Sequence, residues 1–225
     1  ERNKISMERI ICIVIGYIFG LFQTGYLYGR LHHVDIRQYG SGNAGTTNAL
    51  RVLGKKAGII TYIGDCLKAV VAGFVIRLLF KEGHSEIIKL LVMYGGLGVV
   101  LGHNYPFYLH FKGGKGIAAT SGMVLAFDWR LALCICAVFI FVVVVSRYVS
   151  LASLIMMVVF MGLLILGGQT GQYGLSPNGL HEVYLIGGAM TLLAFYKHKA
   201  NIIRLLHGTE SKLGEKKAGN MEGGK

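Results

Sequence analysis

The stretch IICIVIGYIFGLFQTGYLY, Ile10 to Tyr28, carries no charged side chain, and its length suits a bilayer-crossing helix. It decides the fold class because it is not alone. Working outward, comparable apolar runs occupy Ala57 to Phe80, Ile87 to Leu101, Leu131 to Val145, Leu151 to Gly167 and Val183 to Tyr196. A seventh, Ile117 to Phe127, is too short to cross unaided. It reads either as a span extended by Gly113 to Gly116 or as a re-entrant piece. Apolar residues make up 53% of the 225-residue chain and charged residues only 15%, and the mean hydropathy is +0.55. That balance excludes an ordinary soluble domain. The expected architecture is an all-α integral membrane protein of about seven transmembrane helices. It forms one membrane domain over 1–225, with a polar, glycine-rich tail frayed from position 214.

Glycine is over-represented, with 33 residues, and several interrupt the apolar runs, as at Gly16, Gly20, Gly95, Gly96 and Gly98. In lipid such residues let helix backbones approach closely. Inside the second run, Asp65 and Lys68 are spaced to neutralise each other as an ion pair. Cys12, Cys66, Cys134 and Cys136 all fall in apolar runs without metal-ligand spacing, and read as small hydrophobes.

The net charge of +12 raises nucleic acid as a partner, and its distribution argues against it. Threading seven spans puts about 15 Lys and Arg on the side that holds 29–56, 103–116, 146–150 and the tail, and about five on the other. The basic side is therefore expected to be cytoplasmic, with the N-terminus out and the C-terminus in. Basic loops beside lipid need no nucleic acid.

The segments of unusual chemistry share that basic side. GSGNAGTTNALR, Gly40 to Arg51, satisfies G-x-G-x-x-G, but it follows a membrane run where a dinucleotide fold requires a strand. Its glycines, hydroxyls and Arg51 still suit a phosphate. GHNYPFYLHFKGGKG, Gly102 to Gly116, gathers His103, Lys112 and Lys115 around paired glycines. It is no Walker loop, because Leu109 and Gly116 occupy the diagnostic positions. The third segment is in two pieces, SRYVSLAS from Ser146 and KHKANIIRLLHGTESK from Lys197. The latter can lie on the membrane as a short amphipathic helix, with His198 and Asn201 on one face.

Together these motifs closely resemble the bacterial PlsY-type glycerol-3-phosphate acyltransferases. The resemblance rests on Ser41-Gly-Asn-Ala-Gly-Thr-Thr-Asn with Arg51, Gly102-His-Asn-Tyr-Pro with Phe111-Lys-Gly-Gly-Lys-Gly, Arg147-Tyr-Val-Ser-Leu-Ala-Ser, and Lys197-His-Lys-Ala-Asn-Ile with Gly208-Thr-Glu. It departs from the family pattern at Ala69, where glycine is usual, and at Thr46, where alanine is common. It implies transfer of a fatty acyl group from acyl phosphate to the sn-1 hydroxyl of glycerol 3-phosphate, giving lysophosphatidic acid. It also implies a seven-helix multi-pass protein of the bacterial plasma (inner) membrane, with its site at the cytoplasmic face, membrane lipid as surroundings, and no cofactor, CoA or metal.

By motif position the resemblance makes Ser41, Arg51, Lys115, His198 and Asn201 catalytic. Gly42, Asn43, Gly45, Thr47, Asn48, His103, Lys112, Gly113, Gly114, Ser150, Arg204 and Glu210 become substrate-binding. Glu210 cannot attract a phosphate, and is expected to orient a basic neighbour or to hold the tail. The H-x-x-x-x-D dyad of thioester-using acyltransferases is missing from the sequence. The base is then His198, His103 or a substrate phosphate oxygen, and the resemblance favours the substrate. A phosphate-ester transporter would instead place its anion-binding groups near the bilayer midplane, at internal repeats, and a lipid-headgroup binder would bind without forming product.

Overall fold

A computed structural model describes residues 7–215, and every regular element among them is helical. The first apolar run divides into two helices, α1 (Met7–Gly20) and α2 (Thr24–Leu31). A break at this depth strands backbone carbonyls that lipid cannot satisfy. Gln23, within the break, and the distant Lys68 supply donors. Gln23 Nε2 donates to the carbonyls of Gly20, Gly102 and His103 at 3.2, 3.4 and 3.0 Å. Lys68 Nζ donates to Phe22 O at 2.6 Å and to Gly20 O at 3.4 Å, an ammonium at a helix C-terminus where the dipole favours it.

The chain continues through α3 (Thr46–Leu53), α4 (Lys55–Phe80), α5 (Ile88–Asn104) and α6 (Ile117–Phe127). Then follow α7 (Trp129–Ser146), α8 (Val149–Gln169), α9 (Pro177–Lys197) and α10 (Lys199–Leu206). Five segments are long and apolar enough to cross a membrane: Met7–Leu31, Lys55–Phe80, Ser85–Leu109, Trp129–Ser146 and Val149–Gln169. Two of the seven expected crossings fall outside that set. The α6 helix has only 11 residues, and α9, although 21 residues long, carries His181, Glu182 and Lys197. The amphipathic segment expected after the last run is α10. A turn at Leu213 and Gly214, followed by Glu215, ends the described chain, and the rest of the tail expected to fray lies outside the described residues.

The glycines inside the helices act as contact surfaces. A Cβ on Gly16 would collide with the Gly95 carbonyl, and one on Gly98 with the Ile13 carbonyl. Thus α1 and α5 meet backbone to backbone. Around that seam Ile76, Leu90, Met93, Met123, Ile135 and Phe160 form the core, each essentially inaccessible. The outer wall is apolar too, with Leu78, Phe141, Val144, Leu185 and Leu192 exposed, as a lipid-facing perimeter requires. Asp128 caps α7, accepting from the N–H groups of Arg130 and Leu131, and Ser176 caps α9 ahead of Pro177.

The expected Asp65–Lys68 ion pair is present at 2.9 Å and buried. It belongs to a larger cluster, in which Thr24 donates to Asp65 at 3.1 Å and Lys68 Nζ lies 2.8 Å from His103 Nδ1.

Candidate active site

The Gly40–Arg51 loop is shaped by local chemistry. Gly40 and Gly42 take left-handed backbone angles, with φ of +63° and +71°. Asn43 Oδ1 accepts from Gly45 N at 2.9 Å, and the chain then enters α3 with Gly45 as its N-cap. Asn48, 1% exposed, ties the loop together. Its Nδ2 donates to Ile36 O at 2.7 Å and Tyr39 O at 3.1 Å, while its Oδ1 accepts from Ser41 N at 2.8 Å and Ser41 Oγ at 3.1 Å.

The second loop folds back on the end of α5. Gly113 N donates to Asn104 O at 3.2 Å and Gly114 N to His103 O at 3.1 Å. A side chain at Gly113 would collide with the His103 carbonyl, and one at Gly114 with the His103 ring. The paired glycines therefore let the loop lie flat on His103 and present Lys115, before Gly116 starts α6.

The third element joins α8, α10 and the tail through Glu210. This carboxylate, 7% exposed, accepts from Ser150 Oγ at 2.8 Å, Asn201 Nδ2 at 2.6 Å and Arg204 Nε at 2.7 Å. Burial pushes the Glu210 carboxyl up, but these three donors more than offset it and hold it below the usual range. The amide oxygen of Asn201 accepts from Lys115, which links the third element to the second loop. The first loop joins through Arg51, whose Nη2 donates to Ser211 O at 3.4 Å.

These elements surround one cavity of about 240 Å3. Ser41, Arg51, Lys115, His198 and Asn201 all line it. Of the expected substrate-binding residues, Asn43, Gly45, Thr47, Asn48, His103, Ser150 and Glu210 line it as well. Gly42, Lys112, Gly113, Gly114 and Arg204 do not. Gly42 shapes its loop, the paired glycines pack on His103, and Arg204 reaches Glu210. Lys112 is exposed. Thr46, one of the loop hydroxyls read as suiting a phosphate, also lines the cavity, whereas the sequence reading missed Ser153 and the apolar wall of Tyr62, Phe139, Val143 and Leu213. Thr46 adds a buried hydroxyl that has no hydrogen-bond partner.

The starts of three helices open on this space: Gly45 to Thr47 of α3, Gly116 to Ala118 of α6, and Val149 with Ser150 of α8. Helix N-termini offer free N–H groups and partial positive charge, and Arg51 and Lys115 add full charges. Of the two acids on the wall, Asp65 pairs with Lys68 and Glu210 with Arg204. One end of the cavity is thus built for anions, and the Tyr62–Phe139–Val143 side for an apolar chain.

The two histidines that line the cavity have defined partners. His198 Nδ1 lies 2.7 Å from Ala194 O, which can only accept, so the proton is on Nδ1 and Nε2 carries a lone pair. Burial pushes His198 down to about 4, with the Lys115 charge adding to it, so it is neutral at physiological pH. His103 is the converse. Its Nδ1 faces the Lys68 ammonium, a pure donor, so His103 carries its proton on Nε2. Among the described residues no three His, Cys, Asp or Glu side chains gather in one place.

A model of the family described as "Glycerol-3-phosphate acyltransferase" matches residues 10–208. The chain belongs to the glycerol-3-phosphate acyltransferase family. Among curated members, the glycerol-3-phosphate acyltransferase of Clostridioides difficile (strain 630) is 39% identical over 218 residues, covering 92% of this chain and 97% of that protein. The Alkaliphilus metalliredigens (strain QYMF) enzyme is 36% identical over 211 residues, covering 93% and 98%. This acyltransferase also superposes on the crystal structure of PlsY (YgiH), an integral membrane glycerol 3-phosphate acyltransferase, in its glycerol 3-phosphate form. The TM-score is 0.79 and the identity 33%, covering 92% of this chain and 96% of that one. The lysophosphatidic acid form gives a TM-score of 0.77 at 32% identity. An acyltransferase acting on glycerol 3-phosphate from within a membrane is the activity that the anion-binding and apolar ends of the cavity accommodate together.

Proposed function

We propose that the acyl donor is an acyl phosphate and that this acyltransferase moves the acyl group directly to the sn-1 hydroxyl of glycerol 3-phosphate, releasing lysophosphatidic acid and inorganic phosphate. The observation that carries this reading is the convergence of Arg51, Lys115 and three helix N-termini on a single cavity with an apolar wall. Both reactants would be anions and one would bear a lipid chain. Holding them together supplies most of the catalysis, because an acyl phosphate is already an activated mixed anhydride.

In the proposed step the hydroxyl oxygen attacks the acyl carbonyl carbon. The C–O bond to phosphate then breaks, and the electron pair leaves on phosphate. Arg51, Lys115 and the helix N-termini stabilise the charge that develops on the carbonyl and phosphate oxygens. The hydroxyl proton passes to a phosphate oxygen of the substrates. His103 is unsuited to take it, because Lys68 occupies its Nδ1 and its Nε2 already bears a proton. His198, with a lone pair on Nε2, is positioned to orient the hydroxyl by accepting from it.

No protein nucleophile is invoked. The wall serines direct their protons to the Asn48 amide, the Glu210 carboxylate and the Val149 carbonyl, and none of them is paired with a free histidine base. The same reading sets the chain in a bacterial inner membrane with seven helices crossing or entering it, N-terminus out, C-terminus in and the cavity facing the cytoplasm. The charge bias of the loops supports that orientation.

The test is turnover by purified protein in lipid, supplied with acyl phosphate and glycerol 3-phosphate and no CoA. Inorganic phosphate and lysophosphatidic acid should form in equal amounts. Product with acyl-CoA or acyl carrier protein thioester, but none with acyl phosphate, would remove this donor.

A further inference from the structure

Ser41 stands at the exposed rim of the cavity, in a loop whose glycines suggest a phosphate cradle. The hydrogen bonds around Asn48 fix which way its hydroxyl points. Ile36 O and Tyr39 O can only accept, so the Asn48 atom that faces them, at 2.7 and 3.1 Å, is its NH2 group. Ser41 N–H can only donate, so the Asn48 atom facing it at 2.8 Å is the oxygen. The amide orientation is thereby determined from both ends.

Ser41 Oγ lies 3.1 Å from that same oxygen, which has no proton to give. The Ser41 hydroxyl therefore donates to Asn48 in this arrangement, and turns its lone pairs to the cavity. A phosphate oxygen needs donors and gains nothing from such a group. A substrate hydroxyl gains an acceptor.

We infer that Asn48 is a positioning residue that turns Ser41 into a hydrogen-bond acceptor for the alcohol portion of the acyl acceptor, while both phosphates are held elsewhere in the cavity. This rests on glycerol 3-phosphate being the acceptor substrate. Ser150 and Ser153 also direct their protons into the protein, but they are 6% and 3% exposed. Ser41 is the serine that a water-soluble polyol meets on entry. Accepting from the second hydroxyl of the glycerol backbone, beside the reacting one, leaves the reacting proton to its own acceptors and orients the alcohol oxygen toward the acyl carbonyl. The sequence reading grouped Asn48 with the substrate contacts. It lines the cavity, with both its amide atoms engaged by protein.

The experiment compares wild type, Ser41→Ala, Asn48→Ala and the double variant in lipid, with inorganic phosphate as a competitive probe that has no alcohol. In Ser41→Ala, kcat/KM for glycerol 3-phosphate should fall at least about ten-fold, the loss of one substrate hydrogen bond, while the inhibition constant of inorganic phosphate stays within about two-fold of wild type. The losses of the two single variants should not add in the double variant, because part of the Asn48 effect acts through Ser41 and the rest is its tie to Ile36 O and Tyr39 O. A weaker phosphate inhibition constant in Ser41→Ala would make Ser41 a phosphate donor and overturn the inference. Additive losses in the double variant would reduce Asn48 to a structural role and overturn it equally. If Asn48→Ala does not fold, the phosphate inhibition constant of Ser41→Ala still decides. Failure of the wild type to acylate glycerol 3-phosphate at all would instead remove the functional reading beneath the inference.

Discussion

The amide nitrogen of Asn201 donates to Glu210 Oε1 at 2.6 Å, and the oxygen of the same amide accepts from Lys115. Through Asn201 the Glu210 carboxylate thus aims the lysine to which the proposed function assigns the anion. Glu210→Ala should free Asn201, Ser150 and Arg204 together, and Glu210→Gln should retain an acceptor for the first two. With hydrogen bonds to a charged group worth about 1.5 to 3 kcal/mol, kcat should fall in the order wild type, Gln, Ala. Steady-state kinetics with a thermal melt in the same lipid reads this order, and equal activity in both variants would contradict it.

Lys115 is pushed down to about 8, mainly by burial, with the Glu210 charge opposing that shift. It is charged below that value and neutral above it, so anion binding is complete in the acid range and lost as pH rises. The kcat/KM for glycerol 3-phosphate, which reports the free enzyme, should decline above about pH 8. Lys115→Arg should move this limb out of the accessible range. A profile flat to pH 10 in the wild type would refute the assignment.

Arg51 reaches Ser211 O at 3.4 Å and otherwise faces the cavity, so a phosphate meets a guanidinium with spare donors. Arg51→Ala should cost about 1.5 to 3 kcal/mol of transition-state binding. Arg51→Lys should recover little of it, because the planar fork is lost. Full activity in the lysine variant would show that charge alone suffices there.

Asp65 and Lys68 test the interior. Breaking the pair in Asp65→Asn or Lys68→Met leaves one buried charge without its partner, a loss of about 3 to 5 kcal/mol, whereas the double replacement should cost less than either single change. Thermal unfolding in detergent measures the order. A double variant as unstable as the sum would mean that the two residues act independently.

Glycine packing gives a contrast within one kind of substitution. Gly98→Ala drives a methyl into the Ile13 carbonyl and should lower stability by about 1 to 3 kcal/mol. Gly162, in α8, has open space where its Cβ would lie, so Gly162→Ala should be neutral or slightly stabilising. The pair of melting temperatures checks it.

Helices such as α7 and α8 are legible from sequence because uncharged runs as long as Leu131 to Val145 and Leu151 to Gly167 have few other uses, and the Asp65–Lys68 pair because its partners are neighbours on one helix. The break between α1 and α2 is not. It is stabilised by Gln23 reaching carbonyls 79 and 80 positions away and by Lys68 from α4, and no local pattern encodes those contacts. His103 lines the cavity as its motif suggests, but the hold of Lys68 on its Nδ1 is hidden for the same reason. Ser41, Arg51, Lys115 and Asn201 stand out because polar residues between apolar runs need a reason to be there. Tyr62, Phe139 and Val143 do not, because apolar residues that line a cavity look in sequence like those that face lipid.

The central claim is that one cavity holds both reactants at once and that the acyl group passes directly between them. Initial velocities measured over a grid of acyl phosphate and glycerol 3-phosphate concentrations test it most directly. Lines that intersect in the double-reciprocal plot, with no acylated protein found by mass spectrometry after donor alone, are the expected result. Parallel lines with a trapped acyl-enzyme would contradict the account.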